Sequence, residues 1–237
     1  MNYKILIPLF VFSAVIYSCK KDAGSPNSTT PDNSVVSSYL PGNVLLVDHI
    51  AIYTSTGIVT DPSAIQTYMN QHLSPLDAQK FYVGKTYVPN PFLSLTLDIL
   101  TGSRVQLNGK IMEITGINDS LMLVSEYDST EIPYVAPNNC DQLRALVPSI
   151  TPDGNCATGN CTKYRKTYPI RIYGNAYYLP FLYFAVSNSE PGLECSSTAA
   201  EFPSQNLLNQ DLPSSLGPND SVLVQICRLP MTTIRSK

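Results

Sequence analysis

Leu93, Leu95, Leu97 and Ile99 alternate with Ser94, Thr96 and Asp98, the period-two pattern of a strand with one buried face. Val105-Gln106-Leu107, then Asn108-Gly109, then Lys110-Ile111-Met112 predicts a hairpin, because Asn-Gly accepts the positive φ angles of a tight two-residue turn. Asn118-Asp119-Ser120 turns the chain again before a further strand over 121–127. Residues 92–127 therefore predict a four-stranded antiparallel meander.

Elsewhere the pattern is coarser. Residues 44–53 (VLLVDHIAIY) predict one strand that is apolar on both faces. Asp61-Pro62 predicts a helix start, with Asp61 as the cap and Pro62 at the first helical position. Ile65, Tyr68, Met69 and His72 or Leu73 then recur at helical spacing, giving an amphipathic helix near 62–73 that Pro75 ends. Residues 133–161 are rich in Pro and Gly, with one helical turn near 141–147. Strands follow at 168–173 and 176–186, residues 188–219 are turn-rich, and 221–229 (SVLVQICRL) closes the domain. The fold class expected is mostly β: an antiparallel β-sandwich or closed barrel with about eight strands and one short amphipathic helix, since so large a sheet must cover or join its edges.

Composition narrows the class. The 237-residue chain is 43% hydrophobic and only 14% charged, with a net charge of −3. These values exclude a disordered polyelectrolyte and a multi-span membrane protein, and they supply no polybasic field for nucleic acid. High Pro (19) and Tyr (15) with no Trp fit strands and turns better than long helices.

The N-terminus carries its own message. Lys4 precedes a 13-residue apolar run, Ile5 to Tyr17, too short to span a bilayer and of the right length for an export signal. The run stops at Ser18-Cys19-Lys20-Lys21-Asp22. A small residue and then Cys after such a run resembles the lipobox of bacterial lipoproteins, and this string resembles those of the Bacteroidota type. The resemblance covers residues 1–22 only. It implies a signal peptide over 1–18, lipidation of Cys19, and attachment to the outer membrane through acyl chains. Residues 22–42 are dominated by Ser, Thr, Asn, Pro and Gly. They read as a tether (19–42 with the lipidated Cys), leaving 43–237 as one β-rich domain.

Candidate chemistry is sparse. Without Cys19, five cysteines remain: Cys140, Cys156, Cys161, Cys195 and Cys227. An exported chain forms disulfides, and an odd count leaves one thiol free. Spacing alone permits 15 pairings of four among five; the arrangement preferred is Cys156–Cys161, across a turn that Gly159 permits, with Cys140–Cys195, leaving Cys227 buried inside a strand. No metal site or cofactor is expected, because the sequence has one C-x4-C pair, no C-x2-C and no His beyond residue 72. His49 and His72 are the only histidines, and no nucleophile motif accompanies them. Glu126, Asp128 and Glu131 read as a solvated turn, or alternatively as carboxylates for acid–base work on a polysaccharide.

The least ordinary stretch is 154–189, which has no Asp or Glu and six of the fifteen tyrosines. Lys163, Tyr164, Arg165, Lys166, Tyr168, Arg171 and Tyr173 form its candidate recognition surface, since aromatic faces interleaved with cations suit anionic glycans and protein partners. Residues 177–186 (YYLPFLYFAV) are apolar on both faces, either a buried strand or a partner surface, and Pro180 favours an edge or a bulge. The function expected is a lipid-anchored, non-enzymatic envelope protein that binds an envelope protein or an anionic glycan. A polysaccharide hydrolase and a lipocalin-like barrel for a small apolar ligand are the alternatives.

Overall fold

The computed structural model describes residues 33–133 and 139–236. The expected signal peptide, Cys19 and residues 20–32 of the expected tether lie outside them. Among the described residues, fourteen strands and four short helices follow one another. They are β1 (Val35–Pro41), β2 (Val44–Val47), β3 (Ala51–Thr54), β4 (Gly57–Val59), α1 (Pro62–His72), α2 (Pro75–Ala78), β5 (Tyr87–Pro89), β6 (Leu97–Leu100), β7 (Arg104–Leu107), β8 (Lys110–Ile117), β9 (Leu121–Pro133), α3 (Asn139–Leu146), β10 (Pro152–Asn155), β11 (Cys161–Tyr173), β12 (Ala176–Asn188), β13 (Cys195–Glu201), α4 (Leu212–Ser215) and β14 (Asp220–Ser236).

Eight of these strands close into an antiparallel barrel in the order β12-β11-β9-β8-β7-β6-β1-β14, and β14 pairs back onto β12. The barrel half of the fold expectation therefore holds, and the sandwich half does not. Alternation supplies the lining: Leu97, Val105, Leu107, Met112, Met122, Val124, Ile170, Leu179, Phe181, Cys227 and Leu229 point inward and are 0–5% exposed. An eight-stranded barrel is just narrow enough for side chains to fill. The expected meander is β6 to β9 in sequential pairing. Asn108 and Gly109 take φ values of 50° and 82° between β7 and β8. Its first strand starts only at Leu97; Leu93 lies outside it and is exposed.

β12 and β14 outgrow the barrel. Their ladder runs unbroken from Tyr177↔Met231 to Asn188↔Asp220. Beyond the barrel it gains β13 on one side and β3 with β4 on the other. Ala185 and Leu223 pack one face of this extension against Ile65 and Met69 of α1. Leu182, Phe184, Val186, Val222 and Val224 pack the other face beneath Leu143 of α3 and Leu212 of α4. Residues 177–186 are apolar on both faces for this reason; the segment is a central, buried strand and not a partner surface.

Four expectations need correction. β1 falls inside the expected tether, and it pairs with both β6 and β14, so the folded unit begins before residue 43. The single strand expected over 44–53 is two, β2 and β3. It breaks at Asp48, where the chain shifts from pairing with Cys227 and Arg228 to pairing with residues 221–224. Pro75 does more than end α1: Ser74 caps α2, its hydroxyl accepting from the Asp77 N–H at 3.2 Å. α1 itself begins as expected, with Asp61 accepting from the Ala64 N–H at 2.8 Å. β13 and β10, in stretches read as turns and loop, are held by pairing with β12 and β11.

Both preferred disulfides are present. Cys140–Cys195 ties α3 to β13 (Cα–Cα 5.9 Å), and Cys156–Cys161 closes the β10–β11 turn (5.4 Å). Cys227 is free and buried in the barrel, and burial pushes its thiol up to about 12. Among the described residues, no helix is long and apolar enough to cross a membrane.

Candidate functional site: a cleft over the barrel seam

β11 and β12 are paired at only three positions, Arg171↔Tyr178, Ile172↔Tyr177 and Tyr173↔Ala176, before they diverge. The barrel wall is thus split by a seam, and the segment after β13 fills it. The Ser204 N–H donates to the Pro180 carbonyl at 2.8 Å, standing where the next rung of the β11–β12 ladder would be. The N and C=O of a strand residue point to the same side. Pro180 therefore presents its missing donor to the seam, where no strand needs one. The edge-like character read from this proline is real, and a segment of the same chain covers it.

Outside the seam lies a cleft of about 770 Å³. Pro169, Arg171 and Tyr173 of β11, Pro180 and Leu182 of β12, and Ile226 and Arg228 of β14 form its floor. Asp48, Tyr53, Ile58, Asn206, Asn209 and Asp211 contribute to its walls. An adjoining recess of about 410 Å³ shares Ser149, Pro169, Asn206 and Leu207 with it and reaches Arg165 and Asp153.

Two guanidinium groups mark the cleft. Arg228 pairs with Asp48 at 2.5 Å and lies 5.9 Å from the Tyr173 ring centroid, while its buried Nε has no hydrogen-bond partner. Burial works against its charge, but Asp48 and Tyr173 outweigh that and hold it protonated. Arg171 forms no ion pair among the described residues. The two flank β12, because Arg171 faces Tyr178 and Arg228 faces Pro180 across their ladders. Of the two carboxylates in the lining, Asp48 is already engaged by Arg228, and Asp211 stands on another wall at the start of α4.

The seven residues of the expected recognition surface do not form one face. Arg171 and Tyr173 reach the cleft, and Arg165 reaches the recess, where it pairs with Asp153 at 3.3 Å. Lys163 pairs with Glu131 across the β9–β11 ladder at 3.5 Å. Tyr168 turns inward, and its hydroxyl donates to Glu126 at 2.8 Å. Tyr164 and Lys166 are half-buried and line neither cavity. Arg228 and Tyr53 were not singled out from sequence; each looks like an ordinary polar position of an alternating strand.

The three carboxylates of β9 do not converge. Residues 126–128 bulge opposite the single Lys166, since Ser125 pairs with Thr167 and Ser129 with Arg165. Glu126 is not on a solvated turn: it is 8% exposed at the barrel mouth, with Lys110 Nζ 2.8 Å from Oε2. Burial opposes its charge, yet Lys110, Tyr168 and Lys166 hold it below the usual glutamate range. Asp128 and Glu131 are exposed. Asp48 turns to Arg228 and His49 is exposed, while His72 Nδ1 lies 3.0 Å from Ser187 Oγ. Ser187 is only 3% exposed, so this Ser–His contact is sealed from substrate. Glu131, Cys156 and Cys161 bring potential metal-ligand atoms within 4.8 Å, but the two sulfurs are bonded to each other.

At the barrel mouth, a second cavity of about 290 Å³ is floored by Leu95, Leu107 and Met112, rimmed by Asn108, Lys110 and Tyr168, and roofed by Phe202 and Pro203. Phe202 reaches the mouth from the segment that fills the seam, with its ring 4.3 Å from Phe181 and 4.0 Å from Phe92.

No family model matches the chain, and no curated protein or solved structure matches it at a significant level.

Proposed function

We propose that this protein is a lipid-anchored, non-enzymatic binding module of a bacterial envelope, attached through Cys19, and that the seam cleft is its ligand site for an anionic group. The observation that carries the ligand assignment is the pair Arg171 and Arg228, set on either side of β12 in the seam cleft, the first without an ion pair among the described residues and the second with a buried Nε left over. A cleft of about 770 Å³ lies within the size range of small-ligand sites. Guanidinium groups are the side chains best suited to carboxylate and phosphate. Tyr173 and Tyr53 add amphipathic surface, and the Asn206 and Asn209 amides offer both donors and acceptors. The anchor rests on the resemblance of residues 1–22 to bacterial lipoproteins.

Equilibrium binding of acidic and neutral probes of matched size tests the site. Acidic probes are expected to bind, and Arg171→Glu to weaken them at least tenfold while leaving the melting temperature in place. Equal binding of neutral probes, or no effect of Arg171→Glu, overturns the assignment. The intact mass of the mature protein tests the anchor: it should begin at Cys19 and carry acyl groups.

A further inference from the structure

An aromatic contact links the seam cleft to the mouth cavity. Phe181 lines the cleft and Phe202 lines the cavity, and their ring centroids are 4.3 Å apart. Phe202 is 39% exposed, and the segment that carries it crosses the gap left where the β11–β12 ladder stops. The two spaces differ in chemistry: Arg171 and Arg228 stand in the outer one, and Leu95, Leu107 and Met112 in the inner one.

We propose that the two spaces are halves of one site for a single-chain acidic amphiphile, with its acid group at Arg171 and Arg228 and its hydrocarbon tail inside the barrel mouth once Phe202 turns aside. This rests on the reading of the cleft as an anion site and adds the tail. The inner volume sets the tail's length. At about 30 Å³ for each water-sized unit, 290 Å³ takes roughly eight to ten heavy atoms. The floor residues are apolar and 4%, 5% and 1% exposed, so a tail seated there meets hydrocarbon on that side. Glu126 at the same rim is neutralised by Lys110. It therefore favours an uncharged segment there over a second acid group.

Displacement of a fluorescent fatty-acid probe tests this on the full chain carrying Cys19→Ala, so that no acyl group of its own competes. Decanoate is expected to displace the probe at least tenfold more tightly than butyrate and tenfold more tightly than decanol, and Arg171→Ala to weaken decanoate tenfold or more. Acids that bind equally whatever their chain length, or a galacturonate oligomer that binds as tightly as decanoate, overturn the tail assignment and leave the anion site standing. No binding by any acid removes both. Decanoate binding that survives Arg171→Ala but falls with Lys110→Ala also overturns the proposal, since the acid group would then sit at the mouth.

Discussion

The side chain of Gln225 accepts the Tyr82 N–H at 2.9 Å and so pins the loop after α2 to the middle of β14. The same amide donates to the Asp48 carbonyl at 3.1 Å and the Tyr82 carbonyl at 3.4 Å. Gln225 is 1% exposed and lies between Cys227, which faces the barrel, and Leu223, which faces α1. It satisfies the irregular backbone at the point where β2 breaks from β3. Gln225→Leu keeps the volume but leaves a buried N–H and at least one carbonyl unpaired. Each such group costs about 1–3 kcal/mol, so a total loss of about 2–6 kcal/mol is expected from urea melts, with the slope unchanged. A loss well under 1 kcal/mol would show that water replaces the amide.

Glu201 gives stability a pH dependence of known sign. Burial raises its carboxyl above the usual range, against a weaker opposing hydrogen bond from the Gln205 backbone, and its Oε2 is buried without a partner. A carboxyl with a raised folded-state pKa favours folding at pH values below its unfolded pKa, and that contribution is lost as pH rises through the folded one. Glu201→Gln removes the charged form. The variant should melt above the wild type at pH 7–8, and the difference should vanish near pH 4. A variant that melts lower at pH 8 would mean that the charge has a partner.

The two disulfides differ in the loop they close. Cys140–Cys195 spans 55 residues and Cys156–Cys161 spans 5. Loop-closure entropy assigns about 4 kcal/mol to the first and about 2 kcal/mol to the second. Paired Cys→Ser variants should rank in that order in denaturant melts. The reverse order would locate the effect in folded-state contacts instead.

Cys227 is expected to be inert in the folded protein. Its thiol is fully buried and is pushed up to about 12. Thiolate is the reactive species, so maleimide should modify Cys227 only after denaturation, as read by peptide mapping. Modification of the native protein within minutes would mean that the barrel opens locally.

Much of the architecture was legible because it follows local rules. The meander announced itself through period-two alternation and Asn108-Gly109, and α1 through Asp61-Pro62. Cys156–Cys161 followed from close spacing and the turn at Gly159, and the odd cysteine count required one free thiol; Cys140–Cys195 was a preference among open pairings that no local pattern encodes. What was missed depends on partners distant in sequence. β1 reads VVSSYLP and β13 reads CSSTAAE; neither alternates convincingly, and each is a strand because β14 or β12 offers it an open ladder. The site was half visible. Arg171 and Tyr173 stood out by composition, but the cleft exists because β11 and β12 part after three rungs, and no local pattern encodes where two strands separate. Glu126 was misplaced because its polar neighbours suggested a turn, whereas strand parity with Met122 and Val124 carries it to the barrel mouth.

The shared ladder of β12 and β14 has a thermodynamic consequence. Its barrel half and its helix-covered half are the same two strands, so neither core can melt and leave the other an intact scaffold. Heating should therefore produce one heat-capacity peak, with calorimetric and van't Hoff enthalpies in agreement.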